Sequence, residues 1–284
     1  MMLRTVEPVL LTRQMQMKPC VSFCTCASGL LASGITSRPN DQDDQVMICH
    51  GLNCTNTKLV NAHIIAKGFG RLIRGDGPNV RIAPENIGTA KQQLGEFDSD
   101  ILCADCDGIL GRFDDYALEL CQKFEWLHTK PQPEVFELPQ SDRELFGKFV
   151  LSVLWRASIS NRPSVAGVKL GPYEMKLRDA IFSSRSIDTL PEAEIILQRY
   201  TVRGNIDPAG HYFYPTRFKM AGLNFYNFAV GGFRIRTKID SRPLPNELRS
   251  FSLSSGQFLG TFILLEETSE FQSIINMMHR HRAP

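Results

Sequence analysis

The spacing of apolar positions divides the chain into a helical half and a strand half. From Asp107 to Phe124, Ile109, Leu110, Phe113, Ala117, Leu120, Cys121 and Phe124 recur at three- and four-residue steps, which predicts an amphipathic helix. Asp105 and Asp107 suit its first turn, where the backbone dipole is positive. A second helical pattern covers residues 144–158, with Leu145, Phe146, Phe149, Val150, Val153 and Leu154 on its apolar stripe. Trp155 and Arg156 fall within this run and read as core. Residues 172–182 predict a shorter helix with Pro172 in its first turn, and 192–198 a third. The period then shortens to two. Residues 212–214, 223–230, 233–239 and 258–265 are predicted strands, and 270–278 a closing helix. Helices followed by strands point to an α+β fold with a small antiparallel sheet, not to alternating α/β.

Upstream of these patterns, residues 59–65 read as a short strand, and 68–95, rich in Gly, Pro and Asn, as a long loop or hairpin. Lys130-Pro131-Gln132-Pro133 is a break and the expected linker. The first 46 residues lack periodic pattern and end in a polar run, residues 38–45. They read as a disordered tail, or as an upstream start assigned in error with Met47 the first residue; Lys18 and residues 20–34 have a weak likeness to a signal peptide. The expected organisation is therefore 1–46 as tail, 47–130 as one module and 131–284 as an α+β domain.

A composition of 43% hydrophobic and 22% charged residues fits a globular protein. No apolar run reaches the roughly 18 residues of a membrane-spanning helix, so no membrane partner is expected. The net charge of +2 neither demands nor excludes a nucleic-acid partner.

Cysteine spacing changes the picture most. Cys49 and Cys54 form one close pair and Cys103 and Cys106 another, 48 residues apart. Two such pairs supply the four thiolates of a tetrahedral zinc site, each from one turn. Gly51 is available for a positive φ in the first turn. A structural zinc would replace the large core that an 80-residue, loop-rich unit lacks. Thiolates held for a metal imply a reducing, cytoplasmic compartment. Cys20, Cys24 and Cys26 are candidate additions to a metal cluster, and Cys121 reads as a small core residue.

Between the pairs lies Asn61-Ala62-His63-Ile64-Ile65. A first cysteine pair, a strand ending in His-Ile-Ile, and Leu102-Cys103-Ala104-Asp105-Cys106-Asp107 leading into a helix resemble the HNH endonucleases, the His-Me finger or ββα-metal nucleases. The resemblance covers about residues 47–125. It implies a zinc-stapled, treble-clef-like ββα module and hydrolysis of phosphodiester bonds in DNA or RNA. It implies His63 as general base, Asn61 as its orienting neighbour or a group near the metal, and Asp107 as ligand to a catalytic magnesium or manganese ion. The four cysteines match the structural zinc ligands of many members. The sequence departs from the family at Ala62, where an acidic metal ligand is expected; Asn61, Asp98 and Asp100 are the candidate replacements. Asp114 and Asp115 are further candidates along the helix.

Basic residues follow His63 closely: Lys67, Arg71, Arg74 and Arg81 can each neutralise a phosphate. Residues 199–249 carry nine Lys or Arg against three Asp or Glu. Within them Arg234, Arg236 and Lys238 alternate with Phe233, Ile235 and Ile239, which predicts a strand with a core face and a basic outer face. Tyr200, Tyr212, Tyr214, Phe225 and Tyr226 read as core or, if exposed, as stacking surfaces. The sequence thus carries three readings: an HNH-type endonuclease, a zinc module that binds nucleic acid without cutting it, and an interaction protein that docks a partner through 131–284.

Overall fold

The two sequence periods become the helices and strands of one mixed α+β fold in the computed structural model, which describes residues 47–74, 80–82, 90–92, 95–123, 135–138, 141–203 and 207–280. Cys20, Cys24, Cys26 and the 130–133 break lie outside the described residues. Strand β1 (Leu59–His63) leads to helix α1 (Lys67–Arg74), a ribbon of β2 (Val80–Ile82) and β3 (Ala90–Gln92), and strand β4 (Phe97–Cys103), which runs directly into helix α2 (Ala104–Lys123). The glycine-rich stretch after His63 therefore holds a short helix before its hairpin. β1 and β4 pair antiparallel, with Leu59 opposite Cys103, Ala62 opposite Asp98 and His63 opposite Phe97.

The rest of the chain contributes β5 (Val135–Glu137), helices α3 (Arg143–Ile159) and α4 (Tyr173–Phe182), strands β6 (Ala193–Thr201), β7 (Phe213–Met220), β8 (Leu223–Val230) and β9 (Phe233–Ile239), the short helix α5 (Asn246–Arg249), strand β10 (Leu259–Leu264) and helix α6 (Ser269–Arg280). These strands form one six-stranded sheet in the order β5-β10-β6-β9-β8-β7. It is not wholly antiparallel as expected, because β10 runs parallel to β6. The helix expected at 192–198 is instead most of β6. Ile195, Ile196 and Leu197 are all buried, the mark of a central strand covered on both faces.

Helix α3 is buried almost all round, from Phe146 to Ser158. Such a helix has no solvent side and serves as the centre of a core. Asp142 caps its start by accepting from the Leu145 N–H at 2.9 Å. One contiguous apolar core joins Cys103, Leu110 and Phe113 to Phe149 and Trp155 of α3 and to Phe228 and Phe233 of the sheet. Segments 47–123 and 141–280 thus share a core.

The second sheet face carries the main departure from the sequence pattern. Arg234 and Lys238 do share a face, but that face is not an exposed basic stripe. Arg234 is buried against Glu270 of α6, Nε to Oε1 2.9 Å. Lys238 is fully buried and donates to the carbonyls of Pro191 at 2.9 Å and Arg242 at 2.7 Å. Arg236 is half-buried beside the Phe218 ring, and burial, with neighbouring Arg234, lowers its pKa to about 10. Residues from α6 and the segment after β9 cover the face that the alternation left open. Tyr200, Phe225 and Tyr226 are buried.

Candidate functional site

The cysteine cluster forms where two turns meet. Cys49, Cys54, Cys103 and Cys106 bring their four Sγ atoms within 4.8 Å of one another. Zinc–sulfur bonds of about 2.3 Å in a tetrahedron place sulfurs about 3.8 Å apart, and the Sγ atoms of Cys54 and Cys103 stand 3.7 Å apart. Two backbone N–H groups, of Gly51 and Cys103, point to the Cys49 Sγ at 3.4 and 3.3 Å, as donors to a thiolate do. The donor set and its spacing fit a metal ion such as zinc. Gly51 serves space, not φ: a Cβ there would overlap the Cys106 Sγ. The left-handed residue of the turn is Asn53, φ 56°. Among the described residues no second group of His, Cys, Asp or Glu converges in this way.

Cys103 ends β4 and Cys106 lies in the first turn of α2, so the cluster pins the strand–helix junction. The same junction sets the position of Asp107. On β1, Asn61 and His63 lie on one face and Ala62 on the other, fully buried in the core. The β1–β4 register shifts between Val60 and Ala62, an irregularity of the kind that re-aims side chains beside sites.

Asn61, His63, Lys67 and Asp107 come together around one cavity of about 170 Å³, with Asp115 and Arg156 also on its wall. His63 is half-buried. Burial lowers its pKa below the ordinary 6.5, helped by the charges of Lys67, Arg156 and Arg71. The Asn61 backbone acts weakly in the opposite direction, and a neutral imidazole keeps one ring nitrogen as an acceptor. Burial raises the Asp107 carboxyl above the usual carboxylate value, opposed by Arg156 and Lys67. Lys67 and Arg71 are exposed on α1, and Arg74 is half-buried. Arg81 falls in β2.

Arg156 of α3 was legible only as part of an apolar helix, yet it ties the site together. Its guanidinium makes two bonds to the Asp114 carboxylate, 2.9 and 2.7 Å, and a third to the His63 carbonyl at 2.9 Å. The available signal was an arginine in the middle of Val153-Leu154-Trp155-Arg156-Ala157, which demands a buried anionic partner. The residues named as candidates for the acidic ligand that the resemblance expects at position 62 fare differently. Asp98 lies opposite Ala62, buried, where it accepts from Ser160 Oγ at 2.7 Å and from the Asn161 and Asp100 N–H groups. Burial alone would raise its pKa, but these bonds and Arg162 hold it lowered. Neither Asp98 nor the exposed Asp100 lines the cavity. Asn61 does.

Comparison with protein-family models, with curated proteins and with solved structures finds no match to this chain. Among the described residues no helix is long and apolar enough to cross a membrane.

Proposed function

We propose that the chain is a metal-dependent phosphodiesterase acting on nucleic acid, built as an HNH-like ββα unit with β1 and β4 as its strands and α2 as its helix. The observation that carries this reading is the meeting of His63, Asn61 and Asp107 around one cavity, next to a four-cysteine cluster that fixes the strand–helix junction. Zinc is the ion that four thiolates at this spacing favour, and its role is structural. His63 is the general base: burial lowers its pKa, so its neutral ring accepts a proton from water. A divalent ion such as magnesium or manganese, when bound, supplies charge stabilisation at the phosphate. Asp107 and the Asn61 amide offer it hard oxygen donors. Lys67 and Arg71 attract the phosphates.

One observation favours the second reading, a module that binds nucleic acid without cutting it. Ala62 stands where the family has an acidic ligand, and its side chain is fully buried. Titration of zinc-loaded protein with Mn²⁺, followed by electron paramagnetic resonance, separates the two. Binding of a further ion, weakened by Asp107→Asn, supports the hydrolase. No uptake of Mn²⁺ beyond the cysteine site supports the binding module.

A further inference from the structure

Six large apolar side chains are well exposed among the described residues, and Phe97 is the only aromatic ring among them. Scattered exposed aliphatics are normal on a soluble surface, but Phe97 has a particular position. It is the cross-strand partner of His63, so the two side chains share one face of the β1–β4 pair. Their ring centroids lie 5.8 Å apart, tilted by 52°. Arg162 is a second neighbour, its guanidinium 5.9 Å from the Phe97 centroid. Arg162 is itself held near Asp98, Nε to Oδ2 3.9 Å, and its side chain is 37% exposed. These neighbours fix the ring while 40% of the residue stays open to solvent.

The surroundings define what such a ring can take. Lys67 and Arg71 are exposed on α1, close enough to His63 for their charges to act on it. Arg162 thus stands by Phe97 and Lys67 and Arg71 act on neighbouring His63, so the aromatic platform lies in a basic setting. A flat apolar face beside cations matches a nucleotide: the base stacks, and neighbouring phosphates are neutralised. In a duplex the bases are already stacked and paired, and the platform has nothing to receive.

We propose that Phe97 is a stacking platform for an unpaired base next to the phosphate that His63 addresses, so that the preferred substrate is single-stranded nucleic acid. This rests on the nucleic-acid reading of the same site. Arg162 positions the ring and contributes a phosphate contact. The ring is exposed, so its removal leaves the core untouched.

The test is fluorescence anisotropy of the full chain, zinc-loaded and without added magnesium, with three labelled probes: a single-stranded DNA oligonucleotide, its duplex, and the same strand with abasic sites. Phe97→Ala should weaken single-strand binding by roughly 5- to 150-fold, the range that loss of one stacked base gives. It should leave duplex binding unchanged, and Phe97→Tyr should restore the single-strand affinity. Wild type should bind the abasic strand as weakly as Phe97→Ala binds the intact one. Single-strand binding that Phe97→Ala leaves intact overturns the platform while the nucleic-acid reading stands. Tighter binding of the duplex, equally sensitive to Phe97, overturns the single-strand preference. No binding of any probe overturns both the platform and the reading beneath it.

Discussion

The Arg156 guanidinium grips the Asp114 carboxylate with two hydrogen bonds, 2.9 and 2.7 Å, while one of the same nitrogens holds the His63 carbonyl. The pair joins α3 to α2 and to the end of β1, so the helix at the centre of the core also fixes the candidate base. Neither side chain is more than 9% exposed. Removing one partner of such a pair leaves a buried charge without compensation and costs about 3–5 kcal/mol. Arg156→Met should lower the unfolding free energy by that amount in a urea titration. Arg156→Met combined with Asp114→Leu should recover much of the loss, because no charge is then stranded. A double variant as unstable as the single one would contradict a balanced pair.

His63 makes a pH prediction with a definite sign. Burial, then Lys67, Arg156 and Arg71, set its native pKa below 6.5. The unfolded chain therefore takes up the proton near pH 6.5 and the folded chain only at lower pH. The stability that His63 contributes is full above pH 6.5. It declines as the pH falls from 6.5 to the lowered native value, and levels off below that. A proton NMR titration should give a His63 midpoint below 6.5, and Lys67→Ala should move it upward. A midpoint at or above 6.5 would contradict the electrostatic setting of the site.

The basic residues divide into two groups with opposite expected behaviour. Arg234 is buried against Glu270, so Arg234→Ala should cost about 3–5 kcal/mol of stability. It should leave the salt dependence of nucleic-acid binding unchanged once protein that stays folded is compared. Lys67 and Arg71 are exposed, so Lys67→Ala with Arg71→Ala should spare stability and reduce the slope of log affinity against log salt by about one to two. The reverse pattern would place the phosphate contacts on β9.

The contrast shows what the sequence could and could not tell. Alternation of Phe233, Arg234, Ile235 and Arg236 established a strand and sorted its side chains into two faces. It could not say what covers each face, because Glu270 comes more than 30 residues later and meets Arg234 only through the packing of α6. The same limit applied to residues 192–198, where a run buried on both faces has no period of its own to distinguish strand from helix. The cysteine pairs were legible because each pair is local and only the meeting of the pairs depends on the fold. His63, Asn61 and Asp107 were legible through their likeness to a family, and their shared cavity is a property of tertiary structure. Arg156, Asp114 and Phe97 acquire their places only from partners distant in sequence.

Gly51 links the metal cluster to its turn by steric fit. A Cβ at this position would overlap the Cys106 Sγ, so Gly51→Ala should force the cluster apart. Overpacking of this kind costs about 1–3 kcal/mol, and the metal site should suffer more than the rest of the fold. Bound zinc, counted by a chromogenic chelator after denaturation, should fall well below that of the wild type. Cys103→Ser should lose zinc as well. Full zinc occupancy in both variants would remove the four-cysteine assignment.

The most direct measurement is cleavage of plasmid and single-stranded DNA by zinc-loaded protein, with magnesium, with manganese and without added ion, beside His63→Ala. Cutting should require the added ion and be lost in His63→Ala, with zinc content and folding unchanged. Absence of cutting under every ion, or cutting that His63→Ala leaves intact, would contradict a hydrolase with His63 as its base.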